Sequence, residues 1–132
     1  MDFRQGHWCI FIPLGKVGIK MYKNKILRDG AYDNQSYAFR FGLAPCVYGK
    51  FNCNLSEDFK NFIVDDIGDR YCYLTEVIEI VQEYKNKEIE EIQKEYKKIG
   101  MDVSELWLGN LGKLGHKTIL VDFDPMAVSV VP

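Results

Sequence analysis

At 132 residues with a formal net charge of −2, the chain is sized for one domain and lacks the basic surplus that nucleic-acid phosphate neutralisation demands. Apolar residues make up 47% and charged residues 27%, an ordinary globular balance, and no apolar run approaches the roughly 20 residues that span a bilayer. Met1-Asp-Phe-Arg-Gln5 has neither the basic start nor the apolar stretch of a secretory leader, so a cytoplasmic protein is expected.

Cys9, Cys46, Cys53 and Cys72 form no Cys-x-x-Cys pair, and His7 and His116 do not complete a zinc spacing. The expectation is four free thiols, a cytosolic setting disfavouring disulfides. Trp8-Cys-Ile-Phe-Ile12 is aromatic and branched and predicts a strand, which Pro13-Leu-Gly15 breaks. Val17-Gly-Ile-Lys-Met-Tyr22 predicts a second strand, hairpin-paired with the first. By alternation Val17, Ile19 and Met21 share one face, and Gly18, Lys20 and Tyr22 the other. Taken alone, Lys20 reads as an edge-strand lysine facing water.

Lys23–Lys25 and Arg28–Gly30 are turn-like. Ala31 to Phe41 predicts a helix with Tyr32, Ala38 and Phe41 inward, Asp33 as a first-turn acid, Gly42 as its C-cap and Pro45 beyond it. Residues 54–69, with Asp58, Asp65, Asp66 and Asp69, predict a solvated acidic connection with a short helix around Asp58–Ile63. Arg70-Tyr-Cys-Tyr-Leu-Thr75 predicts a strand running into Glu76-Val-Ile-Glu79.

From about Ile78 to Ile99 the pattern is helical, with Val77, Val81, Tyr84, Ile89, Ile92, Tyr96 and Ile99 as an approximate apolar stripe. Glu83 with Lys87 and Glu90 with Lys94 are favourably oriented pairs on its solvated face, and Gly100 ends it. The stripe is not a strict heptad, and a coiled-coil or dimer helix stays open beside a helix of a globular core. Glu105-Leu-Trp-Leu-Gly-Asn110 is a polar loop, Lys113 to Lys117 a hairpin tip, and Ile119-Leu-Val121 a strand ending in Asp122. A strand that delivers an acid just after a loop with an acid and an amide suggests a metal–phosphate site. Mg²⁺ takes one or two hard oxygen ligands from protein and the rest from phosphate and water, which makes Asn110 and Asp122 the candidate pair.

Glu105-Leu-Trp-Leu-Gly-Asn110 and Leu120-Val-Asp-Phe-Asp124 resemble the catalytic loop and metal-binding strand of the protein-kinase-like superfamily, Asp-Leu-His-x-Gly-Asn and then apolar-apolar-Asp-Phe-Gly. Val17-Gly-Ile-Lys20 resembles its Val-Ala-Ile-Lys strand, and Glu76-Val-Ile-Glu79 its hinge. Gly42 to Phe51 resembles the passage from the regulatory helix into the next strand in small bacterial and phage kinase-like proteins. These segments occur in kinase order between residues 8 and 124.

The resemblance implies an α+β fold over 1–132. Residues 1–75 would form an N-lobe-like small antiparallel sheet with one helix, and 76–132 a reduced C-lobe-like part with a long helix and a catalytic-loop hairpin. Lys20 would hold the ATP phosphates, Glu105 would act as base, Asn110 and Asp122 would bind Mg²⁺, and the backbone of Glu76, Val77 and Ile78 would hold adenine. The sequence departs from the family in four ways. It has no Gly-x-Gly-x-x-Gly loop, Glu105 replaces the catalytic Asp, Trp107 the usual His, and Asp124 the Gly after Phe123. In the family the helix after the lysine strand carries a Glu that pairs with it; here Asp33 is the nearest acid and Gln35 the nearest amide. Eight residues follow Asp124, too few for an activation segment and peptide-binding helices.

Three readings follow. One is a minimal Mg-ATP phosphotransferase; another is a catalytically inactive kinase-like (pseudokinase) module acting through a protein partner or as a homodimer. The third is an α+β interaction domain whose likeness is accidental. None involves nucleic acid or membrane, and a phage-encoded chain would act in the host cytoplasm.

Overall fold

The computed structural model describes residues 4–5, 9–55, 68–103, 111–125 and 128–130. Strands β1 (Arg4–Gln5), β2 (Ile10–Leu14) and β3 (Val17–Tyr22) lead into helix α1 (Lys25–Phe39), followed by β4 (Val47–Leu55) and β5 (Gly68–Glu76). The five strands form one sheet in the order β1-β2-β3-β5-β4, every neighbouring pair antiparallel. Alternation sorts its two faces as expected. Ile10, Ile12, Met21 and Cys72 cluster with Ile19 and Phe51 on one side, while Tyr22 and Tyr73 pack with Ala31 of α1 on the other.

Two local expectations are corrected here. Pro13 does not break the first strand but pairs with Gly18 inside β2. Lys20 is not an edge lysine, because β3 lies between β2 and β5 and leaves its residue only 4% exposed.

Helix α1 begins six residues before the expected Ala31. Its start is set by Asn24, whose Oδ1 accepts from the N–H groups of Ile26 at 2.8 Å and Leu27 at 3.2 Å. Gly30 suggests a turn in sequence but lies within the helix, where a Cβ would come 2.4 Å from Cγ of Pro125. The small residue is needed for close packing rather than for a bend. Asp33 therefore sits mid-helix and exposed, not in the first turn. The buried face is Arg28, Ala31, Gln35 and Ala38, and Phe41 is 51% exposed rather than inward. The helix ends in a Schellman arrangement, with Gly42 N–H bonding to Phe39 O and Leu43 N–H to Ala38 O, both at 3.0 Å.

The second half comprises β6 (Glu79–Ile80), α2 (Asn86–Lys98), β7 (Met101–Asp102), β8 (Leu111–Leu114), β9 (Lys117–Leu120) and β10 (Ser129–Val130). Strands β6, β8 and β9 form a three-stranded antiparallel sheet, and β7 pairs with β10. The expected hairpin is β8–β9, turning at Gly115 and His116.

The expected long helix from Ile78 is shorter, 13 residues, about 20 Å in length. Glu79 and Ile80 join the sheet instead, and residues 81–85 are not helical. Glu79 pairs with Lys113 and Ile80 with Gly112, and Val81 N–H donates to Leu111 O at 2.9 Å. Gly112 permits that approach, since a Cβ there would lie 2.7 Å from Ile78 Cδ1 and 2.9 Å from Glu79 O. Glu83 thus precedes the helix, and Lys98 with Glu95, 3.3 Å apart and exposed, is an ion pair that α2 does form.

The largest core cluster joins Ala38 of α1, Leu43, Ile92 and Tyr96 of α2, Leu111 and Ile119 of the hairpin, and Phe123. Tyr96 is its polar pivot. Its hydroxyl donates to Leu43 O at 2.5 Å and accepts from Leu120 N–H at 2.8 Å, at 0% exposure. All four cysteines are thiols, and Cys53 and Cys72 on adjacent strands bring their sulfurs to 3.7 Å. Among the described residues no helix is long and apolar enough to cross a membrane. The short helix expected around Asp58–Ile63, and Asp65 and Asp66, lie outside the described residues.

Candidate functional site

Strand β3 points Lys20 inward toward α1 because alternation puts it on the face opposite Ile19 and Met21. Its Nζ donates to Gln35 Oε1 at 3.2 Å and to Val121 O at 2.5 Å, partners 15 and 101 residues away. The ammonium also lies 5.6 Å from the ring centroid of Tyr73. Three elements thus meet at one cation: the lysine strand, the helix after it, and the segment that carries Asp122.

Gln35 is held in one orientation. Its Oε1 also accepts from the Tyr73 hydroxyl at 2.8 Å, and its Nε2 donates to Pro45 O at 2.9 Å and to Thr75 Oγ1 at 2.7 Å. With four partners the amide oxygen faces Lys20 and cannot turn away without stranding buried groups.

Val121 leads directly to Asp122, which is half-buried, then to buried Phe123 and to Asp124. The Tyr22 hydroxyl donates to Asp124 Oδ1 at 2.6 Å. Burial pushes the Asp124 carboxyl above the usual carboxylate range; the Tyr22 hydrogen bond opposes this, the Asp122 charge adds to it, and Lys20 opposes it. Burial likewise raises the Tyr22 and Tyr73 hydroxyls, and it pushes the Cys9 thiol up to about 12 against the pull of Lys20. Cys9 is therefore an unreactive neighbour at neutral pH.

Helix α1 grips the same segment again further along. Asn34 Nδ2 donates to Phe123 O at 3.2 Å and Val128 O at 3.1 Å, and Pro125 packs on Gly30.

The expected adenine-binding backbone is partly committed elsewhere. Glu76 N–H donates to Cys46 O at 2.8 Å, and Val77 N–H donates to Lys16 O at 2.9 Å. The Glu76 carboxylate accepts from Cys46 N–H at 3.1 Å, folding that side chain back onto β4. Among the described residues Ile78 N–H has no backbone partner. Glu105, Trp107 and Asn110 lie outside the described residues.

Lys20 and Asp122 are thus brought to one place, with the strand end at Glu76 following buried Thr75 of the same sheet. Sequence reasoning marked Gln35 only as the amide nearest the place of the family's lysine-pairing Glu, and gave Tyr22, Tyr73 and Asn34 no role. Tyr22 carried a signal, since it shares the Lys20 face of β3. Asn34 carried none, because a helical amide acquires its task only from what packs against it.

For a divalent cation, the Asp122 charge lies close enough to raise the cost of ionising Asp124, which a cation would relieve. Two carboxylates with phosphate and water suit Mg²⁺, although among the described residues no group of three His, Cys, Asp or Glu side chains converges. No protein family, curated protein or solved structure matches the chain.

Proposed function

We propose that the chain is a kinase-like module that binds Mg-ATP between the five-stranded sheet and the α2–hairpin half. Lys20 contacts the phosphates, Asn110 and Asp122 hold Mg²⁺, and the backbone around Glu76, Val77 and Ile78 faces adenine, with Ile78 supplying an N–H. One observation carries this reading. Lys20 is 4% exposed, and among the described residues its ammonium bonds only to neutral oxygens, Gln35 Oε1 and Val121 O, beside the Asp122 segment. A buried cation without a directly paired anion is costly to the free fold, and an incoming phosphate offsets that cost. If Glu105 reaches a substrate hydroxyl, the same site is a minimal phosphotransferase with Glu105 as base.

The test is calorimetric titration with ATP, with and without Mg²⁺, on the wild type, Asp122→Asn and Lys20→Met. Metal-dependent binding lost in both variants is the expected result. No heat at millimolar ATP would overturn the reading.

A second reading, an inactive module acting through protein contact, is favoured by Phe39, Phe41 and Tyr48, large apolar side chains that are 43%, 51% and 55% exposed. It predicts that Phe41→Ser changes self-association or partner binding in sedimentation experiments and leaves ATP titrations unaltered.

A further inference from the structure

Lys20 is buried, and none of its hydrogen-bond acceptors carries a charge. Among the described residues no carboxylate comes within ion-pair distance of its ammonium. The helix that packs over it offers Gln35, and the one acid in the second half of α1, Asp33, is exposed. A charge removed from water still needs a countercharge somewhere in its low-dielectric surroundings.

Two candidates lie on the segment whose Val121 carbonyl the lysine holds. Among the described residues no hydrogen bond holds the Asp122 carboxylate in place. Asp124 remains. It is fixed by the hydroxyl of Tyr22, two residues along β3 from Lys20 on the same face. Tyr22 stacks on Tyr73 with ring centroids 6.2 Å apart, and Tyr73 in turn donates to the amide that holds Lys20. A closed set of side chains therefore connects the carboxylate to the cation.

We infer that Asp124 is the countercharge of Lys20, a positioning carboxylate clamped by Tyr22 that supplies from the Asp122 segment the negative charge α1 does not provide. In kinases that charge is a helix glutamate paired with the strand lysine. Here it sits two residues beyond the metal-ligand position. Asp124 acts on a ligand through Lys20, by holding the ammonium charged and in place, and touches no reacting atom. The inference does not depend on nucleotide binding.

The experiment is a double-mutant cycle on ligand-free, metal-free protein, with thermal unfolding of wild type, Asp124→Asn, Lys20→Met and the double variant. Asp124→Asn is expected to lower Tm by about 5 °C when Lys20 is present, and to leave Tm unchanged or raise it in the Lys20→Met background. Equal shifts in both backgrounds, or a rise in Tm with Lys20 present, would overturn the inference.

Gln35→Glu provides an independent arm should Lys20→Met not fold. It carries a fixed cost, because a carboxylate oxygen replaces the amide nitrogen that now faces Pro45 O at 2.9 Å. That cost is common to both backgrounds, so Gln35→Glu should lower Tm less in Asp124→Asn than in wild type. An equal drop in both would again refute the inference. ATP calorimetry on the wild type separates the two readings: absence of binding removes the nucleotide site, while the 20–124 coupling stands or falls on Tm alone.

Discussion

Replacing Gln35 by leucine removes four hydrogen bonds from the centre of the site, and the cost can be worked group by group. Lys20 keeps Val121 O, and the Thr75 hydroxyl keeps Cys46 O at 3.3 Å. The Tyr73 hydroxyl and the Pro45 carbonyl, both on buried residues, have no other hydrogen bond within 3.5 Å among the described residues. Stranding a buried polar group costs about 1–3 kcal/mol, so two cost about 4 kcal/mol. The added leucine methyls return about 1 kcal/mol through apolar burial. The net loss is about 3 kcal/mol, a large share of the roughly 5–15 kcal/mol that holds a domain folded.

For a chain of this size that lowers Tm by about 10 °C and the urea midpoint by about 1–2 M. Urea unfolding followed by tryptophan fluorescence reads it. Thr75→Val serves as the scale, because it leaves Gln35 Nε2 bonded to Pro45 O and should cost about 1 kcal/mol. If Gln35→Leu costs no more than Thr75→Val, the amide is not the keystone of the network and the argument from its four bonds fails.

Tyr96→Phe deletes the oxygen shared by Leu43 O and Leu120 N–H and should destabilise by about 2–3 kcal/mol in the same urea assay; a change under about 0.5 kcal/mol would show that water replaces it. Gly30→Ala improves helix propensity by about 1 kcal/mol yet forces a Cβ against Pro125. A net loss of about 1–2 kcal/mol is expected from overpacking, and a rise in Tm would mean that Pro125 yields freely. Asp29 accepts from Arg28 Nε at 2.7 Å, which holds its carboxyl below the usual carboxylate range. A lowered folded value means that this contribution is present above the ordinary aspartate range and is lost as pH falls through the lowered one. Asp29→Asn should therefore flatten the acid limb of stability below about pH 4, measured as urea midpoint against pH, while a parallel curve would exclude the link.

Much of the sheet can be read from alternation. Ile19 and Met21 on one face and Lys20 and Tyr22 on the other follow from strand pleat alone, and the hairpin around Gly115 from its flanking apolar runs. What sequence pattern misses are positions decided by a distant partner. Arg28-Asp-Gly30 looks like a turn because the proline that makes Gly30 useful lies at position 125. Val81 and Tyr84 fit a helical stripe because they pack against the same core as Ile92, yet they reach it from the non-helical segment before α2, with Val81 bonded to β8. Apolar spacing records that a side chain is inside, not which backbone carried it there. The site divides the same way. Lys20 and Asp122 stand out by residue type and Gln35 as the nearest amide to the lysine-pairing position, but the four partners of Gln35 show only when Lys20, Tyr73, Thr75 and Pro45 surround it.

Asn34 spans two carbonyls, those of Phe123 and Val128, from the middle of α1. A single amide group thereby sews the helix to Phe123 and to Val128, and Gly30 with Pro125 adds a mechanical stop. Such a helix has no hinge of its own relative to the acid-bearing segment; the two must open and close as one lever. In hydrogen exchange, amides of α1 and those around Phe123 should share one opening free energy, and any ligand that stiffens Asp122 will be felt along the whole length of α1.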